Sequence, residues 1–156
     1  MLEVHVISLG RDKEPWITQG SEHYRKLLSR FARISLTVIP SPKFSSALSP
    51  DEIRVRESDL LVRRRKGGYG IALSDRGPTC DSEAFARLIE RLQTTSGGRV
   101  EFLIGGPHGL ADRLVGEADA VLSLSPLTFP HHLVRVILLE QLYRAFTILH
   151  RTGYHK

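Results

Sequence analysis

The residues Gly105-Gly106-Pro107-His108-Gly109 combine a flexible backbone with a titratable side chain, directly after an apolar run that ends at Ile104. Glycine at the end of a strand lets the backbone approach a ligand closely, because no Cβ stands in the way. The segment lacks the Lys-Ser/Thr pair of a P-loop, and its glycines do not have the spacing of a dinucleotide-binding fingerprint. It predicts either a ligand-binding turn or an ordinary tight turn between a strand and a helix.

A second candidate segment runs from Leu122 to His131 and is rich in serine and proline. Pro126 and Pro130 stiffen the backbone, and serine hydroxyls can form local hydrogen bonds. A rigid loop with exposed N–H and C=O groups can recognise the edge of a heterocycle such as adenine. A plain connector between two elements is the alternative interpretation.

The third candidate segment is a long helix, predicted over Leu133–His150, with the polar tail Tyr154-His155-Lys156. Arg135 and Arg144 are its candidate anion-binding side chains. Apolar residues occupy several faces of the helix, which predicts burial on more than one side. A second subunit would readily provide that cover, so the pattern favours a homodimer. A central core helix in a monomer is the alternative.

The surrounding patterns predict an α/β fold with a mainly parallel sheet flanked by helices. Ligands in such sheets bind beyond the carboxyl ends of the strands, so the candidate turns and loops should meet at one edge. The predicted strands are Val4–Leu9, Ile34–Ile39, Ile71–Leu73, Val100–Ile104 and Ala120–Leu124, and the earlier predicted helices are Trp16–Phe31, Ser49 towards Lys66, Phe85–Leu92 and Leu110–Ala118.

Size and charge narrow the function classes. The 156 residues fit a single domain spanning 1–156, and the net charge of +5 suits a polyanionic partner, although solubility alone also explains such a surplus. The run Arg63-Arg64-Arg65-Lys66 is either a phosphate contact or a solvated face.

The single cysteine, Cys80, excludes an intrachain disulfide. With no signal-peptide pattern and no membrane-spanning run, we expect a cytoplasmic protein.

The three candidate segments together resemble the RlmH family, a branch of the SPOUT superfamily of knotted RNA methyltransferases. The similarity extends over the whole length and is most specific in the last third of the chain. The residues that carry it are Phe102 to Pro107 with Gly109, Leu122 to Ser125, Leu127 to His131, Arg135, Glu140 to Ala145, Tyr154 to Lys156 and, more weakly, Val6 to Gly10.

This resemblance implies a trefoil knot near the C-terminus that holds S-adenosylmethionine, with the active site at a homodimer interface. Its implied substrate is a pseudouridine in a stem-loop of large-subunit (23S) ribosomal RNA, methylated at N3 in assembled ribosomes. The implied cofactor-binding residues are Leu73, Gly105, Leu124, Ser125, Pro126, Leu127, Thr128 and Phe129. At His108 the sequence differs from relatives, which often have Glu or Asn there, so no role is assigned to that side chain.

N3-methylation of such a base requires removal of the imide proton, and histidine is the usual base near neutral pH. We expect His131 or His155 to accept this proton. Arg135 or Arg144 would hold a phosphate or stabilise negative charge on the ring, and Tyr154 would stack on the target base.

Three other functions are weighed against this one. A ribosome-binding protein that lost its activity would not bind S-adenosylmethionine. A nucleotide-dependent oxidoreductase is disfavoured, because no glycine fingerprint follows the first strand. A metal hydrolase is disfavoured because the adjacent His131 and His132 lack the i, i+4 spacing of a helical zinc pair, so no metal is expected.

Overall fold

The centre of the molecule is one sheet of five strands in the order β2-β1-β4-β3-β5. The computed structural model describes residues 1–156. Every strand pair is parallel, which confirms the predicted α/β class and extends it, since no antiparallel strand is present in the sheet. The strands are β1 (Leu2–Leu9), β2 (Ala32–Ile39), β3 (Tyr69–Leu73), β4 (Arg99–Ile104) and β5 (Ala120–Leu122).

Five helices cover the two faces of this sheet and bury two separate apolar clusters. Successive strand residues point to opposite faces, so Val6 joins the larger cluster while Ile7 joins the smaller one. The larger cluster receives side chains from α1 (Pro15–Leu28), α3 (Ser82–Thr95) and α5 (His131–Leu149), and the smaller one receives them from α2 (Pro50–Arg63) and α4 (Asp112–Glu117). No helix is long and apolar enough to cross a membrane.

Local capping determines the boundary of α2, as the sequence predicts. The Ser49 hydroxyl accepts a hydrogen bond from the Glu52 N–H at 3.2 Å, and the Glu52 carboxylate accepts one from the Ser49 N–H at 2.8 Å. By contrast, α1 ends at Leu28 rather than at Phe31. Phe31 instead stacks on Phe146 of α5 with ring centroids 5.6 Å apart, so tertiary packing ends this helix early.

The chain after β5 passes through the region of the loop that follows β3. The Ser74 N–H donates to the Leu122 carbonyl at 3.0 Å, and the Ser123 N–H donates to the Pro78 carbonyl at 2.9 Å. Gly77 is required here, since a Cβ would lie 2.8 Å from a methyl group of Val121. The chain then crosses to the opposite face, where α5 packs between α1 and α3.

The basic run at the end of α2 lies at the amino edge of the sheet. Arg65 donates to the buried Glu101 carboxylate at 2.8 Å and to the Gly68 carbonyl at 2.7 Å, so this member of the run has a structural role. Arg63, Arg64 and Lys66 are exposed. The hydrogen bonds of Arg65 place the run beside the start of β4, at the end of the sheet opposite the carboxyl edge.

Candidate active site

A cavity of about 680 Å³ opens at the carboxyl edge of the sheet, where the candidate turns and loops were expected to meet. Three segments form most of its wall: the end of β3 with the loop after it, the glycine turn after β4, and the loop between β5 and α5. Among the residues predicted to bind a cofactor, those that line the cavity are Leu73, Gly105, Leu124, Ser125, Leu127, Thr128 and Phe129.

The glycine turn is held by a backbone hydrogen bond from the Gly109 N–H to the Gly106 carbonyl at 3.0 Å. Gly109 has a φ of +79°, a conformation that L side chains rarely adopt. At Gly105 the reason for glycine is different: a Cβ there would lie 2.7 Å from the backbone of Gly109. The backbone of the turn therefore lies bare along the cavity wall.

The serine–proline loop is stabilised by its own hydroxyl groups, as the sequence predicts. The Ser123 hydroxyl donates to the Ser125 carbonyl at 2.8 Å, and the Ser125 hydroxyl accepts from the Leu127 N–H at 2.9 Å. Leu127 lines the cavity and is also 73% exposed, whereas Pro126 is exposed and does not line it. The loop thus presents both backbone and an apolar side chain at the mouth of the cavity.

His131, the first residue of α5, contributes to the cavity wall. Burial, assisted by the nearby His132 and Arg135, lowers the pKa of His131 from 6.5 to about 4. The imidazole is therefore neutral at pH 7. A base this weak removes protons inefficiently near neutral pH, so the environment suits His131 to hydrogen bonding rather than to general-base catalysis.

Arg135 does not face the cavity, contrary to the role expected for it. Its side chain is 1% exposed and forms an ion pair with Asp12, with Nη1 and Oδ2 at 2.8 Å. Its Nη2 donates to the Gly10 carbonyl at 2.9 Å. These contacts hold the loop after β1 against the start of α5. In this chain Arg135 supports the cavity wall and offers no group to a phosphate.

Arg144, Tyr154 and His155 form a separate group at the other end of α5. The Arg144 guanidinium lies 2.6 Å from Glu140, whose carboxylate also accepts the Tyr154 hydroxyl at 3.1 Å. His155 Nδ1 is 3.4 Å from Arg144 Nη1. With a rise of about 1.5 Å per residue, Arg144 lies roughly 20 Å along the helix from His131. The tail and the cavity therefore do not meet within one chain.

Several residues that sequence reasoning did not select also line the cavity. They are charged side chains from different elements: Arg54 of α2, Arg76 after β3, and Asp112 of α4. His108, for which no role was predicted, lines it as well. Arg54 lies far in sequence from the recognised segments, so only the packing of α2 brings it to this edge, whereas Asp112 follows the glycine turn by three residues. Asp75 also lines the cavity, as expected from its position in Leu73-Ser74-Asp75 at a predicted strand end, and Arg76 is the next residue.

Comparison with known proteins identifies a family whose model matches this chain. The family model described as "Predicted SPOUT methyltransferase" matches residues 2–155 of the chain. The chain belongs to the SPOUT methyltransferase family. Its relatives include the proteins named ribosomal RNA large subunit methyltransferase H from Shouchella clausii, 38% identical over 99% of this chain and 100% of that protein, and from Pelotomaculum thermopropionicum, 39% identical over 99% of each.

Solved structures show the same SPOUT fold at much lower sequence identity. A probable methylase family protein from Haemophilus influenzae aligns with a TM-score of 0.60 and 15% identity, covering 100% of this chain and 72% of that one. The tRNA (m1G37) methyltransferase of Aquifex aeolicus aligns with a TM-score of 0.55 and 14% identity, covering 92% and 69%. These likenesses confirm the predicted fold class, and the family match confirms the resemblance drawn from the sequence.

Proposed function

We propose that this protein transfers a methyl group from S-adenosylmethionine to N3 of a pseudouridine in a stem-loop of large-subunit (23S) ribosomal RNA, acting as a homodimer on assembled ribosomes in the cytoplasm. The observation that carries the proposal is the cavity at the carboxyl edge, with bare glycine backbone on one side and the serine–proline loop on the other. The names of the full-length relatives support the choice of RNA.

The cavity fits the proposed methyl donor in size and chemistry. Sites for small molecules and cofactors typically enclose about 300–1,000 Å³ and combine apolar walls with a few polar groups. Here Leu73, Leu124 and Phe129 supply apolar surface, while Gly105 keeps the backbone accessible. Ser125 and Thr128 add hydroxyl groups at the wall. We assign the adenine to the loop between β5 and α5, and the remainder of the donor to the glycine turn.

S-adenosylmethionine supplies a methyl group on a positively charged sulfonium, so the protein's main task is to place the two reactants in line. The cavity walls restrict the donor, and Leu127 places an apolar side chain at the mouth, where the target base would approach. Removal of the N3 proton is assigned to His155, because the surroundings of His131 make it a weak base. His131 then serves as a neutral hydrogen-bonding group beside the cavity.

The separation of the tail from the cavity supports the homodimer. Tyr154 and His155 lie at the far end of α5, so they can reach a donor only in the cavity of a second copy. Apolar side chains suited to such an interface remain accessible: Trp16 is 54% exposed, and Leu133 and Ile137 of α5 are only partly buried. In this assembly Arg144 and Tyr154 of one subunit act on the RNA bound at the cavity of the other.

The proposal is tested by mass spectrometry of ribosomal RNA from cells with and without the gene. We expect one methylated pseudouridine to disappear in the deletion and to return with the wild-type gene. Calorimetry with S-adenosylmethionine and light scattering provide independent checks on donor binding and the dimer. An unchanged RNA modification pattern, or a purified protein that does not bind the donor, contradicts the proposed activity.

A further inference from the structure

The inner side of α2 holds a buried carboxyl group with an oxygen that no hydrogen-bond donor of the protein reaches. Glu57 is 3% exposed, and its Oε2 is buried without a hydrogen-bond partner. Burying an unpaired polar atom is costly, and burying an unpaired charge is costlier still. The next residue, Ser58, has a hydrogen-bond partner, since its hydroxyl accepts a hydrogen bond from the Ala111 N–H at 2.9 Å. On α2, the buried polar atom without a hydrogen-bond partner is therefore Glu57 Oε2.

This carboxyl group lies directly behind the glycine turn. A Cβ added to Gly106 would be 2.8 Å from Glu57 Oε2 and 3.1 Å from Oε1. Gly106 also lines the cavity. A single glycine backbone thus separates the carboxyl group from the space assigned to the methyl donor, so a charge in that space would interact with it through a poorly polarisable medium.

Other acidic groups at this cavity are screened by water. Asp75 and Asp112 line it but are both exposed. Burial raises the pKa of Glu57, and the nearby imidazole of His108 only partly opposes that shift. A cation in the cavity would compensate the Glu57 carboxylate, and a neutral ligand would not.

We propose that Glu57 is a specificity-determining residue that favours the cationic methyl donor over the neutral demethylated product. This inference rests on the proposed function. In the transfer, the sulfur–methyl bond breaks as the N3–methyl bond forms, and the N3 proton passes to the base. The sulfur keeps the bonding electron pair and becomes a neutral thioether. The charge that Glu57 stabilises is lost at that moment, so the same residue promotes release of the product.

Calorimetry with three ligands tests the inference. The ligands are S-adenosylmethionine, sinefungin, which carries an ammonium in place of the sulfonium, and neutral S-adenosylhomocysteine. For the near-isosteric variant Glu57→Gln we expect about tenfold weaker binding of both cations and less than about a twofold change for the neutral ligand. Asp59→Asn, an exposed acid on the same helix, is the matched control and should change none of the affinities.

Equal weakening of all three ligands would show that Glu57 only supports the turn, and unchanged affinities would show that it has no effect; either result overturns the inference. A wild-type protein that binds none of them contradicts the proposed function instead. Should the variant not fold, ¹³C NMR of the Glu57 carboxyl in the wild type gives the answer. Sinefungin should shift that resonance towards the ionised form and S-adenosylhomocysteine should not, and identical shifts would refute the proposal.

Discussion

Two adjacent histidines at the start of α5 experience different surroundings. His131 lies against Gly10, where an added Cβ would be 2.8 Å from its Nε2, and it also lines the cavity. His132 instead has its Nδ1 3.7 Å from Asp12 Oδ1. Sequence reasoning selected His131 on its residue type alone. The local environment determines its chemistry, because burial keeps it neutral over the pH range in which histidine usually titrates.

The lowered pKa of His131 has a consequence for stability. The unfolded chain binds a proton at this residue below pH 6.5, whereas the folded protein does so only below about 4. The stabilisation of the folded protein that follows from this difference in proton binding is therefore fully present above pH 6.5 and is lost as the pH falls towards 4. We expect His131→Asn to weaken the decline in urea-unfolding free energy between these pH values. An exposed histidine variant, His23→Asn, should leave the decline unchanged; equal slopes for all three proteins would refute the assignment.

The buried ion pair of Arg135 should matter far more than an exposed one. Arg135→Met removes the partner of Asp12 and the donor to the Gly10 carbonyl, leaving a largely buried carboxylate uncompensated. We expect a loss of about 3–5 kcal/mol in the free energy of unfolding, measured in urea. Arg113→Met is the control, since Arg113 pairs with Glu117 with its side chain 85% exposed, and it should cost less than about 1 kcal/mol. Similar losses for both variants would contradict this reading of Arg135.

At the scale of the elements, an alanine substitution in the glycine turn can be compared with one in helix α4. Gly105→Ala places a Cβ 2.7 Å from the backbone of Gly109, so the turn must move away from the donor position. We expect at least about tenfold weaker S-adenosylmethionine binding and a loss of roughly 1–3 kcal/mol in stability. Gly116→Ala in α4 is the control, because a Cβ there meets nothing within 4 Å. It should keep the affinity and stabilise the helix slightly.

The accuracy of sequence-based reasoning differed between elements for physical reasons. The start of α2 was predictable because its capping box is formed by residues three positions apart. The end of α1 was not, since it depends on Phe31 packing against Phe146. The glycine turn and the serine–proline loop were recognised from residue type and family resemblance. The Asp12–Arg135 pair joins residues 123 positions apart and has no local pattern that could indicate it.

At the scale of the whole molecule, the cavity and the tail occupy opposite ends of α5. A complete site in the proposed dimer therefore needs the cavity of one subunit and the tail of the other. This arrangement predicts complementation between two impaired variants, Gly105→Ala in the cavity and His155→Ala in the tail. A heterodimer of the two contains one intact pair of segments and one doubly altered pair.

Differently tagged copies of the two variants can be co-expressed and the heterodimer purified through both tags. Assayed at an S-adenosylmethionine concentration below the wild-type Kd, it should methylate ribosomal RNA at about half the wild-type rate, while each variant homodimer should be about tenfold or more slower than wild type. The control is each variant co-expressed with itself under both tags. A heterodimer no more active than these controls would show that the tail does not complete the partner's cavity.

The packing of α5 against β1 also sets the order in which the protein can mature. Leu138, Leu142 and Phe146 of α5 share a core cluster with Val4 and Val6, which are synthesised about 130–140 residues earlier. At a synthesis rate of roughly 5–20 residues per second, on the order of ten seconds pass before α5 is made and can bury the apolar side of the first strands. The nascent chain thus exposes β-rich, aggregation-prone segments until α5 has left the ribosome.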